Sequence, residues 1–114
     1  MSFRKARVQD QMRDWVAEYY ERNPSPAGIL TVTGLDMSPD MKYATILISV
    51  LPESAEKVVL AHATDELRNL REFVKHQAHM RAFPFFKVEI DVGEKRRQAF
   101  DAVLNRAKEE DRNR

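Results

Sequence analysis

From its N-terminus the chain sets Val8, Met12, Trp15, Val16 and Tyr19 at intervals of three and four residues, opposite Asp14, Glu18 and Glu21. At about 100° per residue this gathers the apolar side chains on one face of a helix, predicted over roughly residues 3 to 22. Asn23-Pro24-Ser25-Pro26 and Gly28 end it, because proline has no N–H to donate and disfavours the helical conformation in the residue before it. The pattern then shortens to a period of two. Residues rich in Val, Ile, Thr and Leu predict strands over about 29 to 37 and 42 to 50, parted by the breaker pair Pro39-Asp40.

Leu51-Pro52-Glu53-Ser54 opens the next helical stretch, with Pro52 or Ser54 supplying the start signal. Val58, Val59, His62 and Ala63 form its expected inner face, and Leu67, Leu70, Phe73, Val74 and Ala78 continue the pattern to about Met80. Asp65 is a cap candidate within this stretch, so either one bent helix or two helices occupy roughly residues 53 to 80. Pro84 ends it, and Phe85 to Asp91 alternates as a third strand, with Phe83, Phe85 and Phe86 expected in the core. Gly93 turns the chain into a last helix carrying Phe100, Val103, Leu104 and Ala107 on one face. The order α-β-β-α-α-β-α predicts an α+β fold in which one three-stranded sheet is packed against helices on one side.

A chain of 114 residues is one domain, large enough to withdraw roughly two-thirds of its unfolded surface from water. Residues 1–107 are read as that domain and 108–114 as a charged, frayed tail. The chain has no cysteine, which excludes disulfides and thiolate metal sites and fits a reducing compartment. The N-terminal run lacks an apolar signal core, and no stretch approaches the ~20 apolar residues of a membrane span. A cytoplasmic monomer away from membranes is expected.

The 19 Lys+Arg against 18 Asp+Glu leave a net charge of +1, so affinity for a polyanion depends on where the charges sit. On a helical wheel at about 100° per residue, Arg71, Lys75 and His79 fall within roughly 60° of Arg68. They form a stripe beside the apolar face of Leu67, Leu70, Phe73 and Val74. Arg81 and Lys87 follow it in sequence, while Arg4, Lys5 and Arg7 stand at the start of the first helix. Two readings of the stripe stand. Its cations can track the phosphates of RNA, releasing counterions as they bind. Alternatively, Asp65, Glu66 and Glu72 pair with Arg68, Arg71, Lys75 or His76 at helical spacing on a solvated face.

Other chemistry finds little support. His76 and His79 are three apart, but no thiolate, HExxH pattern or suitably placed carboxylate completes a metal site. His62 is expected at an edge of the core. Ser38, Ser49 and Ser54 lack a nucleophile elbow or an evident base, and Asp36, Asp40, Glu89 and Asp91 read as ordinary carboxylates near strand ends. Neither catalytic residues nor a cofactor is expected.

One run carries more information than its composition. Thr31-Val32-Thr33, Leu35, the turn Ser38-Pro39-Asp40-Met41, and Ala44, Ile46, Ile48 and Ser49 keep a characteristic order and spacing. So do Leu70-Arg71-Glu72-Phe73-Val74, then Met80-Arg81-Ala82-Phe83-Pro84, then Phe86 to Asp91, then Phe100, Val103 and Leu104, with Asn23-Pro24 after the first helix. In these features the chain resembles the ribosome-binding factor A family over most of its length.

The resemblance implies a KH-like domain of the second topological type, α-β-β-α-α-β, here with an additional C-terminal helix. It also implies a non-enzymatic assembly factor that binds the small ribosomal subunit late in maturation, contacts ribosomal RNA, assists its processing and supports growth in the cold. Arg68, Arg71, Lys75, His79 and Arg81, with Lys5 and Arg7, are then the expected RNA contacts; Arg71 and Arg81 match family arginines directly. The family bends its central helices at an Ala-x-Gly kink. Here that place holds Glu66-Leu67-Arg68, which predicts a straighter helix or a bend moved to Thr64-Asp65, since a left-handed turn is costly without glycine. The rival function is a protein-interaction adaptor that presents the first helix or Phe83, Phe85 and Phe86 to another protein without touching RNA.

Overall fold

The central strand, β2 (Tyr43–Leu51), buries Ala44, Ile46, Ile48 and Val50 on one face and leaves Tyr43, Thr45, Leu47, Ser49 and Leu51 half-buried or exposed on the other. That two-residue period belongs to a sheet covered on one side. β1 (Ile29–Met37) pairs with β2 antiparallel and β3 (Phe85–Ile90) pairs with it parallel, in the order β1-β2-β3. The computed structural model describes the backbone of residues 3–78 and 83–112, and the side chains of 6–78 and 83–109. Helices α1 (Phe3–Arg22), α2 (Glu56–Asp65) and α3 (Leu67–Gln77) contribute the other half of the core, a 3-10 turn at Glu53–Ala55 leads into α2, and α4 (Val92–Arg112) follows β3.

The fold is therefore α+β with the order predicted from periodicity. The second strand begins and ends one residue later than expected, and the central helical stretch is two helices rather than one. Met12 and Val16 of α1, Val59 of α2, and Leu70 and Val74 of α3 meet Ile46 and Ile48 of β2, all fully buried. Each such side chain stabilises the fold by about 1.5–3 kcal/mol relative to exposure.

β1 changes face partway along. Val32 pairs with Ile48 and Gly34 with Leu47, so Thr33 is the extra residue of a bulge. Before it Leu30 and Val32 pack against the core; after it Leu35 and Met37 are buried. Without the extra residue, the period of two would turn one half of this apolar set into solvent. The Thr33 hydroxyl lies 2.6 Å from Asp91 Oδ2, and Asp91 Oδ1 accepts the Glu94 amide at 2.9 Å. One carboxylate thus holds the bulge and caps the N-terminus of α4. Lys95 fastens the same helix end to Glu53 and Glu56 at 2.8 and 3.0 Å. Hydrogen bonds to Glu53 and then Glu56 raise its pKa.

Five apolar positions read as inner faces are exposed. Val58 is 59% exposed, because Val59 and Ala63 already occupy the buried face of α2. Phe85 shares its side of β3 with Lys87 and Glu89 and is 61% exposed, while Phe83 and Phe86 pack against the core. The apolar face of α4 has no partner among the described residues: Phe100, Val103 and Leu104 are exposed, as is every side chain from Arg96 to Glu109. Periodicity marks a side chain's direction on a helix, but not whether a neighbour stands there.

Candidate nucleic-acid interface

α3 is positioned by α1 through polar bonds at the break between α2 and α3. The break falls at Glu66 (φ −81°, ψ −5°), at the first residue of the Glu66-Leu67-Arg68 run and one residue past the expected Thr64-Asp65, and it uses no left-handed residue. Tyr20 donates its hydroxyl to the Ala63 carbonyl at 2.9 Å, just before the break. Tyr19 donates to the Glu66 carboxylate at the break itself, and His62 Nε2–H donates to the Asn23 carbonyl at 3.0 Å. The Tyr19 ring also meets Phe73 of α3 at 5.5 Å between centroids. Side chains of α1, and Asn23 at its C-terminal end, therefore tie this joint down. Burial, reinforced by the bonded Glu66, pushes the Tyr19 pKa up to about 12; burial raises that of Tyr20 as well.

On α3, Leu70 and Val74 point into the core, and Arg68, Arg71 and Lys75 emerge beside them. Arg68 is exposed and has no ion pair among the described residues. Lys75 Nζ lies 3.7 Å from Glu72 Oε1, with both side chains exposed. A pair of that kind contributes about 0–1 kcal/mol and yields readily to a competing phosphate. Arg71 is half-buried: its Nε–H donates to the Pro84 carbonyl at 3.4 Å, and its guanidinium carbon stands 4.7 Å from the centroid of the Phe85 ring.

Arg7 is exposed on α1, two residues before Gln9, whose side-chain oxygen accepts the Met37 amide at 3.2 Å. It thus sits at the end of α1 nearest the β1–β2 hairpin, and no bond joins it to the α3 stripe among the described residues. Lys5 lies in α1, but its side chain is outside the described residues, as are His79 and Arg81. His76 is exposed, and no group of three His, Cys, Asp or Glu suited to a metal occurs among the described residues. No described helix is long and apolar enough to cross a membrane.

Two exposed rings stand beside the stripe: Phe85, which the sequence reading put in the core or on a protein-binding face, and Tyr43, which it gave no site role. Tyr43 and Phe85 face each other at the start of the parallel β2–β3 pair and are each 61% exposed. The signal was present in Phe85-Phe86-Lys87-Val88-Glu89-Ile90, where alternation puts Phe85 on the side of Lys87 and Glu89. Phe85 shares its row with Lys87 and Glu89, and Tyr43 its row with Thr45, Leu47, Ser49 and Leu51.

A family model described as ribosome-binding factor A matches residues 4–104. A ribosome-binding factor A from Anaeromyxobacter sp. (strain Fw109-5) is 29% identical over 115 residues, covering 95% of this chain and 92% of the relative. The crystal structure of ribosome-binding factor A from Thermus thermophilus is similar with a TM-score of 0.69 at 22% identity, over 75% of this chain and 93% of that one. A homology model of the Thermus thermophilus protein, fitted into the cryo-electron-microscopy map of a 30S–RbfA complex, gives a TM-score of 0.63 at 19% identity over 73% and 90%. The structural likeness establishes a shared α+β, KH-like fold.

Proposed function

The chain belongs to the ribosome-binding factor A family, and from that premise we propose that it docks on the small ribosomal subunit during late maturation, contacts ribosomal RNA through the α3 stripe and assists RNA processing. The likeness to a protein fitted in a 30S complex supports the partner. The observation that carries the surface is the row Arg68, Arg71 and Lys75 on a helix held by Tyr19, through Glu66 at its start and Phe73 along it. Rigid cations along a surface favour phosphate contact and shape over base reading, because RNA helices hide their major-groove edges. Binding one conformation of the RNA more tightly than others shifts the population toward it, which is how a non-enzymatic factor assists processing. Such a role belongs in the cytoplasm, where subunits mature.

Arg68→Glu combined with Lys75→Glu tests this reading, since both side chains are exposed and outside the core. The folded double variant is expected to lose most retention on immature small subunits, and its salt dependence to flatten by roughly one power of salt for each phosphate it no longer neutralises. Unchanged retention would remove the stripe from the interface. The exposed α4 face of Phe100, Val103 and Leu104 favours the adaptor reading in one respect. Binding through that face would persist at high salt, whereas phosphate contact would not.

A further inference from the structure

Tyr43 and Phe85 stand with ring centroids 6.3 Å apart and planes inclined by 37°. Neither ring belongs to the buried core, yet both are fixed. They sit on paired strands, the Phe85 amide donates to the Lys42 carbonyl at 2.9 Å, and Arg71 lies over the Phe85 ring while bonded to the neighbouring Pro84 carbonyl. An aromatic ring held on ordered backbone loses little further entropy when a flat partner stacks on it. Cations surround them, each long amine with a carboxylate nearby: Arg71 touches one ring and Arg68 continues along α3 without an ion pair among the described residues, while exposed Lys42 has Asp40 beside it and Lys75 has Glu72. Glu89, bonded to Lys87 at 3.0 Å, is the nearby acidic side chain on the β3 face.

Flat rings among cations match the two parts of a single-stranded nucleotide, the π face of its base and its phosphate. A duplex keeps its bases stacked on one another and offers only backbone. We propose that Tyr43, Phe85 and Arg71 form a stacking platform for an unpaired base of a single-stranded RNA segment whose phosphates run along Arg68 and Lys75. The proposal rests on the RNA-binding reading of α3 and adds that the bound segment is unpaired where it meets the start of β2 and β3.

The test compares binding of the full chain to a labelled single-stranded oligo-A RNA and to an RNA duplex with the same number of phosphates. Phe85→Ala and Tyr43→Ala are expected to weaken single-strand binding by roughly 5- to 100-fold each, the range of base stacking on aromatic residues. Duplex binding and the salt dependence stay as in the unmodified protein. Phe85→Leu, which keeps apolar bulk without a π face, should behave like Phe85→Ala. Phe85→Trp should restore binding, with its fluorescence quenched by the RNA.

The platform is overturned if Phe85→Ala and Tyr43→Ala bind the single strand like the unmodified protein, or if they weaken single strand and duplex alike. When Arg68→Glu with Lys75→Glu still loses binding in that comparison, only the platform falls and the phosphate surface stands. An unmodified protein that binds neither RNA overturns both.

Discussion

A methyl group added at Gly28 would stand 2.7 Å from the Leu51 carbonyl oxygen, 3.2 Å from Ala55 Cβ and 3.3 Å from Val59 Cγ2. The first of these is backbone in β2 and cannot swing aside. Gly28→Ala is expected to cost about 1–3 kcal/mol in urea unfolding, whereas Gly34→Ala, whose added carbon meets Leu47 Cδ1 at 3.5 Å, escapes that clash. The tyrosines of α1 give a second expectation. Tyr19 holds its proton to about pH 12 when folded, against an ordinary value of 10, so above pH 10 the unfolded chain ionises first. The stability from this group is complete below pH 10 and is lost as pH rises through 12. Tyr20 acts in the same direction. Melting temperature should therefore fall across that range, less steeply for Tyr19→Phe; equal slopes would disconnect Tyr19 from alkaline unfolding. The turn between β1 and β2 holds Met41 at a φ of 61°, a conformation that usually favours glycine. Its side chain packs against the core, which a glycine could not do.

Among the elements, those whose apolar face finds a neighbour were readable from the chain. Met12, Val16 and Tyr19 of α1, and Leu70 and Val74 of α3, lie on the side their spacing indicates, and β1 runs over the predicted residues. Three features were not readable because they depend on residues far apart in sequence. The helix break at Glu66 is bonded by Tyr19, the Thr33 bulge by Asp91, and the apolar face of α4 is exposed because no described element lies beside it. The placing of Arg68, Arg71 and Lys75 beside the buried face of α3 was likewise legible as a helical period, but the position of Phe85 and Tyr43 next to Arg71 needed the pairing of β2 with β3. Asp91→Ala tests the second of these long-range bonds. Losing the α4 cap should cost about 0.5–2 kcal/mol, read by chemical denaturation. Thr33→Ala measured alone and with Asp91→Ala should show coupling between the two sites. Strictly additive costs would mean that the carboxylate does not hold the bulge.

Across the whole molecule a net charge of +1 leaves little general attraction for RNA, so the proposed binding has to come from arrangement. α3 concentrates cations on one surface, while much of the opposite charge lies on other elements. Glu18 is taken by Arg22, Glu94 by Arg97, and Glu53 and Glu56 by Lys95. A surface of this kind binds through released counterions and loosens as salt rises. The measurement closest to the central proposal is co-sedimentation of the purified protein with immature small subunits, mature small subunits and free RNA across a salt series. Preferential retention on immature particles, falling steeply with salt, is the expected result. Retention on none of them, or retention indifferent to salt, would contradict it.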